Sequence, residues 1–140
     1  MLHIRPATAH DLPSLAHIDQ YNNPHPWQIA QFSGSLQSPH THIWLGETQG
    51  EICTFIVWQT LFNETELHLI ATAPNHRQQG FASQLINTML AANPNNRFFL
   101  EVRQSNLAAQ KLYAKHGFHI IAQRNNYYGN EHAIIMEKSC

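Results

Sequence analysis

The run Arg77-Gln78-Gln79-Gly80-Phe81-Ala82 is the most specific chemical feature of the chain. It follows a strand-like stretch and opens a helical one. Gly80 and the small Ala82 let a ligand approach the backbone closely. The unpaired amides of a first helical turn, reinforced by the helix dipole, form an anion site, to which Arg77, Gln78 and Gln79 can add side-chain donors. The Lys-Ser/Thr of a Walker loop and the three-glycine spacing of a dinucleotide fingerprint are absent. Taken alone, the glycine equally fits a plain strand-to-helix turn. Glu101 sits in the otherwise apolar run Phe98-Phe-Leu-Glu-Val, where alternation puts Phe99, Glu101 and Arg103 on one face. A carboxylate there is exposed, paired with Arg103, or poised in a cleft, where partial burial makes a carboxylate a better base near neutral pH. The 11 histidines invite a metal reading. The short spacings His40-x-His42 and His116-x-x-His119 have no third ligand nearby, Cys53 is isolated and no Cys-x-x-Cys occurs, so no metal site is expected. His68, in the strand before Ile70, is a candidate second base.

The elements that must position these groups follow from local pattern. Leu2-His-Ile4 alternates as a short strand. Asp11 can cap a helix with Pro13 near its first turn, and Leu12, Leu15, Ala16 and Ile18 give its apolar face. Pro24 and Pro26 break the chain. A short helix over Trp27–Phe32 is expected to end at Gly34. Strand periodicity then takes over: His42–Gly46, a turn at Thr48–Gly50, Glu51–Trp58, and Glu64–Thr72. Gly80–Ala92 is helical, with Phe81, Ala82, Leu85, Ile86, Met89 and Leu90 on one stripe. Arg97–Arg103 is a strand. Asn106 can cap a helix to His116, with Gly117 where a left-handed cap belongs, and strands at Phe118–Gln123 and His132–Glu137 close the chain. The order β-α-α-β-β-β-α-β-α-β-β is α/β with a mixed, mostly antiparallel sheet.

A second segment agrees with the loop. The Arg-x-x-Gly-x-Ala loop resembles the acetyl-CoA pyrophosphate loop of the GNAT N-acetyltransferases, and Asn106-Leu-Ala-Ala-Gln-Lys-Leu-Tyr113-Ala-Lys-His-Gly117-Phe118 resembles that family's Asn-x-x-Ala-x-x-Leu-Tyr-x-x-x-Gly-Phe signature. The element order fits over essentially the whole chain, read as one domain, residues 1–140. Leu100-Glu-Val-Arg-x-Ser-Asn106, Arg124-Asn-Asn-Tyr127-Tyr128, Ala133-Ile-Ile-Met136 and Pro26-Trp27 with Phe32 resemble the RimI-type ribosomal-protein-alanine N-acetyltransferases. The chain departs from that pattern at Ala82, where Gly is commonest, at His132, where Asp is common, and at Gln28-Ile-Ala-Gln31, where acidic residues often follow Pro-Trp.

The resemblance implies roles. Ile70, Ala71 and Thr72 lie along the pantetheine arm through backbone groups freed where a strand stops pairing, although the Ile70 side chain equally reads as sheet core. Arg77, Gln78, Gln79, Gly80, Phe81 and Ala82 take the pyrophosphate, and Asn106 the CoA arm. Glu101 becomes the general base, acting through a water, and Tyr113, two turns from Asn106 on the same helical face, the acid that protonates the leaving thiolate. Tyr127 and Tyr128 help wall a peptide groove, with Trp27 as the opposite wall or a core residue. The implied reaction is direct acetyl transfer from acetyl-CoA, without a metal, to the N-terminal alanine of a small-subunit ribosomal protein. A lysine, a small-molecule amine, or CoA binding without turnover are the rivals. An α-amine titrates near 8 and a lysine near 10.4, so deprotonation at pH 7 costs about 1.4 against about 4.6 kcal/mol, which suits a carboxylate base to the former.

Composition sets the frame. Only 12% of residues are charged and the net charge is −1, with 12 Asn, 12 Gln and 11 His supplying polar surface. That balance gives no general attraction to nucleic acid or anionic membrane, so neither is an expected partner. Cys53 and Cys140 are too few for a disulfide framework, and no signal core or membrane-length apolar run is present. A cytoplasmic monomer is expected.

Overall fold

The computed structural model describes residues 1–127 and 129–139; Tyr128 and Cys140 lie outside the described residues. The chain runs β1 (His3–Pro6), α1 (Leu12–Asp19), α2 (Ile29–Gln37), β2 (Thr41–Thr48), β3 (Glu51–Leu61), β4 (Glu64–Thr72), α3 (Phe81–Ala92), β5 (Arg97–Arg103), α4 (Leu107–Lys115), β6 (His119–Arg124) and β7 (Ala133–Lys138). Short 3₁₀ turns precede α1 and follow β4. The strands form one seven-stranded sheet in the order β1-β2-β3-β4-β5-β7-β6. Every neighbouring pair is antiparallel except β4 with β5. Among the described residues no helix is long and apolar enough to cross a membrane.

Apolar alternation gives the sheet two cores. On one face Ile56, Trp58, Leu67, Phe98, Leu100, Val102, Ile134 and Met136 pack with Leu85, Ile86 and Met89 of α3 and Tyr113 of α4. On the other, Leu12, Leu15 and Ile18 of α1 and Phe32 of α2 cover Ile43, Leu45, Phe55, Val57 and Ala71. Each large apolar side chain so buried stabilises the fold by about 2 kcal/mol. On this second face α1 and α2 pack on β2, β3 and β4.

The feature that positions the site is a fork between β4 and β5. Their parallel ladder is only three pairs long: Glu64 with Arg97, Thr65 with Phe98, and Glu66 with Phe99. Beyond Glu66, β4 pairs only with β3 and β5 only with β7. The closed end is stitched by polar groups. The buried Thr65 hydroxyl meets Thr60 at 3.1 Å and accepts from the Asn96 amide at 3.0 Å, while Thr60 donates to Asn93 at 2.7 Å. Arg97 bridges Glu64 and Glu137. A β-bulge in β4 lies just past the last paired residue: Val57 faces Leu69 and Trp58 faces Leu67, leaving His68 as the extra residue. A bulge bends its strand and sharpens the twist, which carries β4 away from β5.

Two local expectations are corrected. Gly34 does not end the second helix, which runs on to Gln37. A mid-helix glycine costs about 1 kcal/mol but does not block the helix, and the stop is Ser38, held extended at ψ 132° by Pro39. Asp11 precedes α1 without capping it through its side chain. Its carboxylate accepts from the Thr8 backbone at 2.8 Å and pairs with Arg5 at 2.8 Å, joining β1 to the turn before α1. The Arg5 guanidinium, with burial opposing it, holds the Asp11 carboxyl well below the usual carboxylate range.

Candidate active site

The open end of the fork forms two cavities. The first, about 400 Å³, is lined by Ile70, Ala71 and Thr72 of β4, Gln78, Gly80, Phe81 and Ala82 of the loop and α3, and Asn106, Leu112 and Tyr113 from the α4 side. Gly80 caps α3 at φ +78°, a left-handed backbone that favours glycine, and Gln78 is also left-handed at φ +64°. The first helical bond is Gln84 N–H to the Gly80 carbonyl, so the Phe81, Ala82 and Ser83 amides have no intrahelical acceptor. The first turn carries no acidic residue and no side-chain cap. A Cβ built on Gly80 meets nothing within 4 Å. The glycine therefore serves the backbone angle, and the space beside it is open to a ligand. An exposed amide turn beside an unpaired strand edge suits a long thioester carrier with an anionic middle.

The second cavity, about 210 Å³, is lined by Glu101, Arg103, His68, Asp19 and Asn23 and shares Asn22, Ile70, Asn106 and Tyr113 with the first. Glu101 projects from β5 on the face opposite Leu100 and Val102. Of the arrangements open to it, the structure selects a cleft position with a pairing: its Oε1 accepts from Arg124 Nη1 at 2.8 Å. Arg103 instead pairs with Glu131 at 3.4 Å. Tyr113 is 7% exposed, and burial pushes its phenol up to about 12. Asn106 caps α4 as expected, its side chain accepting from the Ala109 amide at 3.2 Å. A larger concavity, about 820 Å³, lies between α1 and the Gly50–Ile52 turn and includes neither Glu101 nor Tyr113.

The remaining expected residues fall less simply. Arg77 lines the first cavity, but its guanidinium donates to the Thr72 carbonyl at 3.3 Å, the Tyr21 carbonyl at 3.2 Å and Asn22 Oδ1 at 3.0 Å. It straps the end of α1 to the end of β4. Gln79 is not among the lining residues. Trp27 packs edge-on to Phe32 at 5.2 Å, half-buried against the second core, and lines neither cavity. Tyr127 sits under Arg124, 3.8 Å from guanidinium carbon to ring centroid, and so reaches Glu101 through that arginine. Tyr128 lies outside the described residues. Sequence reading missed Asn22, which donates to the Ile18 carbonyl at 2.9 Å and the Thr72 carbonyl at 3.3 Å between the cavities, and Ser83, which meets His116 at 3.0 Å. It also missed Asp19, whose Oδ2 accepts from the Trp27 amide at 2.8 Å, and whose carboxyl burial pushes up. Only the break at Pro24 hinted that this loop would fold over the fork. His132, standing where an aspartate is common, accepts from the Asn126 amide at 3.0 Å and closes the β6–β7 loop. Among the described residues no group of three His, Cys, Asp or Glu is placed to hold a metal ion.

Comparison with known proteins bears on this geometry. The acetyltransferase (GNAT) family matches residues 7–118. The [ribosomal protein bS18]-alanine N-acetyltransferase of Haemophilus ducreyi is 34% identical over 134 residues, covering 90% of this chain and 92% of that one. The crystal structure of the ribosomal-protein-S18-alanine N-acetyltransferase from Escherichia coli superposes with a TM-score of 0.92 at 30% identity, covering 99% of this chain and 94% of that one. Arabidopsis thaliana NAA60 in complex with acetyl-CoA shares the fold, with a TM-score of 0.89 at 15% identity over all of both chains.

Proposed function

From the premise that the chain belongs to the acetyltransferase (GNAT) family and is an N-acetyltransferase, we propose that it moves acetyl from acetyl-CoA to the N-terminal alanine of ribosomal protein bS18. The observation that carries this reading is the meeting of the two cavities at Ile70, Asn106 and Tyr113. One is walled by an anion-binding turn and an unpaired strand edge, the other by Glu101. A thioester held along β4 is thereby directed at the point where an amine enters from the Glu101 side.

The residues divide the work. The Gly80–Ser83 amides hold the pyrophosphate, while the Arg77 strap and the Asn106 cap keep the two walls of the cleft in place. Glu101 takes a proton from the amine, directly or through one water. Tyr113 keeps its proton at any working pH, because burial holds it at about 12, and donates it to sulfur as the carbon–sulfur bond breaks. The proton passes as negative charge builds on sulfur, where the burial that raises the phenol also favours a neutral thiol over a thiolate. Tyr127 keeps Arg124 on Glu101, and the protein works as a cytoplasmic monomer.

The test is purified chain with acetyl-CoA and two peptide sets read by mass spectrometry. One set starts with alanine; the other carries lysine behind a blocked N-terminus. Acetylation of the first set alone is expected, and the reverse would overturn the substrate. Glu101→Gln and Tyr113→Phe are each expected to lower kcat about 100-fold or more. Near-wild-type turnover by both from pH 6 to 9 would remove their assigned roles.

A further inference from the structure

Acetylating an ammonium requires two protons to leave nitrogen. One leaves before the lone pair can attack the thioester carbonyl. The other leaves after the carbon–nitrogen bond has formed. A third proton goes to sulfur as the carbon–sulfur bond breaks. Tyr113 supplies the last, and Glu101 accounts for one of the first two.

We propose that His68 is the second base of this site, taking the ammonium proton on the ring nitrogen not bonded to Glu66. This rests on the amine-acetylating reading above. After transfer, His68 and Glu101 release one proton each and Tyr113 regains one, so each turnover returns one proton to solvent.

Three observations converge on His68. It lines the same small cavity as Glu101, from the opposite prong of the fork. Its orientation comes from the bulge. Leu69 and Ala71 lie on the α1-covered face and Leu67 on the α3 face. Strict alternation back from Ala71 would turn position 68 toward α3. The extra residue puts His68 on the Glu101 side instead. Finally, Glu66 lies one step back on that face, with Oε1 3.2 Å from Nε2. The His68 contact, against opposing desolvation, draws the Glu66 carboxyl below its ordinary value, so it stays anionic and steadies an imidazolium. Imidazole in general titrates about two units closer to an α-amine than a carboxylate does, so its proton transfer is less uphill. The other charged or titratable groups lining that cavity are Glu101 and Arg103 of β5, Asp19 at the end of α1, and Tyr113 of α4.

The experiment measures kcat and KM against pH for wild type, His68→Gln and Glu66→Gln on an alanine-starting peptide, with acetyl-CoA binding by calorimetry as the folding control. His68→Gln is expected to lower kcat about 10- to 100-fold with KM within about threefold. It should also abolish the imidazole limb on the acid side, with part of the rate restored by added imidazole. Glu66→Gln should move that limb to lower pH, because an imidazolium beside a neutral amide is less stable. His68→Gln that binds acetyl-CoA normally and keeps both kcat within about twofold and the same acid limb would overturn the proposal. Should His68→Gln lose acetyl-CoA binding, the half-exposed Glu66 decides, and an unmoved limb in Glu66→Gln overturns it. A wild-type chain that acetylates a different amine defeats the substrate reading, and the His68→Gln ratio on that amine still decides this one. A chain inert on every amine defeats both.

Discussion

Tyr113 owes its position to the end of its own helix. The Phe118 amide donates to the Tyr113 carbonyl at 3.1 Å and the Gly117 amide to the Ala114 carbonyl at 3.0 Å, with Gly117 at φ +96°. This is a Schellman closure, and it brings the Phe118 ring within 6.0 Å of the Tyr113 ring. The phenol is fixed by six residues of local sequence and then buried by the sheet. Burial lifts its pKa from 10 to about 12. The folded state therefore holds this proton more tightly than the unfolded one. The associated stability, about 2–3 kcal/mol, is fully present below pH 10 and is lost as pH rises toward 12. Chemical denaturation at pH 9 and pH 12 checks it: wild type should lose that stability and Tyr113→Phe should not show this component. Equal losses in both would place the burial effect elsewhere.

Among the elements, the β4–α3 connection and the fork are complementary. The bulge at His68 and the three-pair ladder open the strand edge, and the turn at Gly80 presents amides at its end. Gly80→Ala places a Cβ in open space but forces an L side chain to φ +78°. The expected cost is about 1–2 kcal/mol of stability. An about tenfold weaker acetyl-CoA affinity should accompany it as the amides turn out of line, read by melting and calorimetry. A variant with unchanged affinity would remove Gly80 from the anion site. The turn and both helices around the site were legible because caps, glycines and alternation are local signals. The extension of α2 through Gly34 was not, because the packing of Phe32 against Phe55, at 5.4 Å between rings, outweighs one unfavourable residue.

Across the whole molecule, the sparse charge fits an anionic ligand held by backbone amides, with no basic surface required. In the proposed function the other ligand is the cationic start of a ribosomal protein. With neutral imidazoles the net charge is −1, and each of the 11 histidines protonated on acidification makes it more positive. His116 is held below its ordinary range by burial and then by Lys115. Affinity for a basic alanine-starting peptide is therefore expected to fall about threefold or more between pH 7.5 and 5.5, most steeply at low salt. Isothermal titration at both values checks this, and tighter binding on acidification would contradict it.

The chain's own pattern determined the order of elements, the amide turn at Gly80, the cap at Asn106 and the helix that carries Tyr113. Each depends on residues within about two helical turns of one another. The tertiary structure alone decided that Glu101 pairs with Arg124, 23 positions away, rather than with Arg103 two along. It turned Arg77 back onto Tyr21 and Asn22, 56 and 55 positions away, and packed Trp27 against the second core. It also brought His68 and Glu101 to the lining of one cavity. Those outcomes depend on where two strands stop pairing, and that point is fixed by buried contacts among distant segments, which local sequence does not encode.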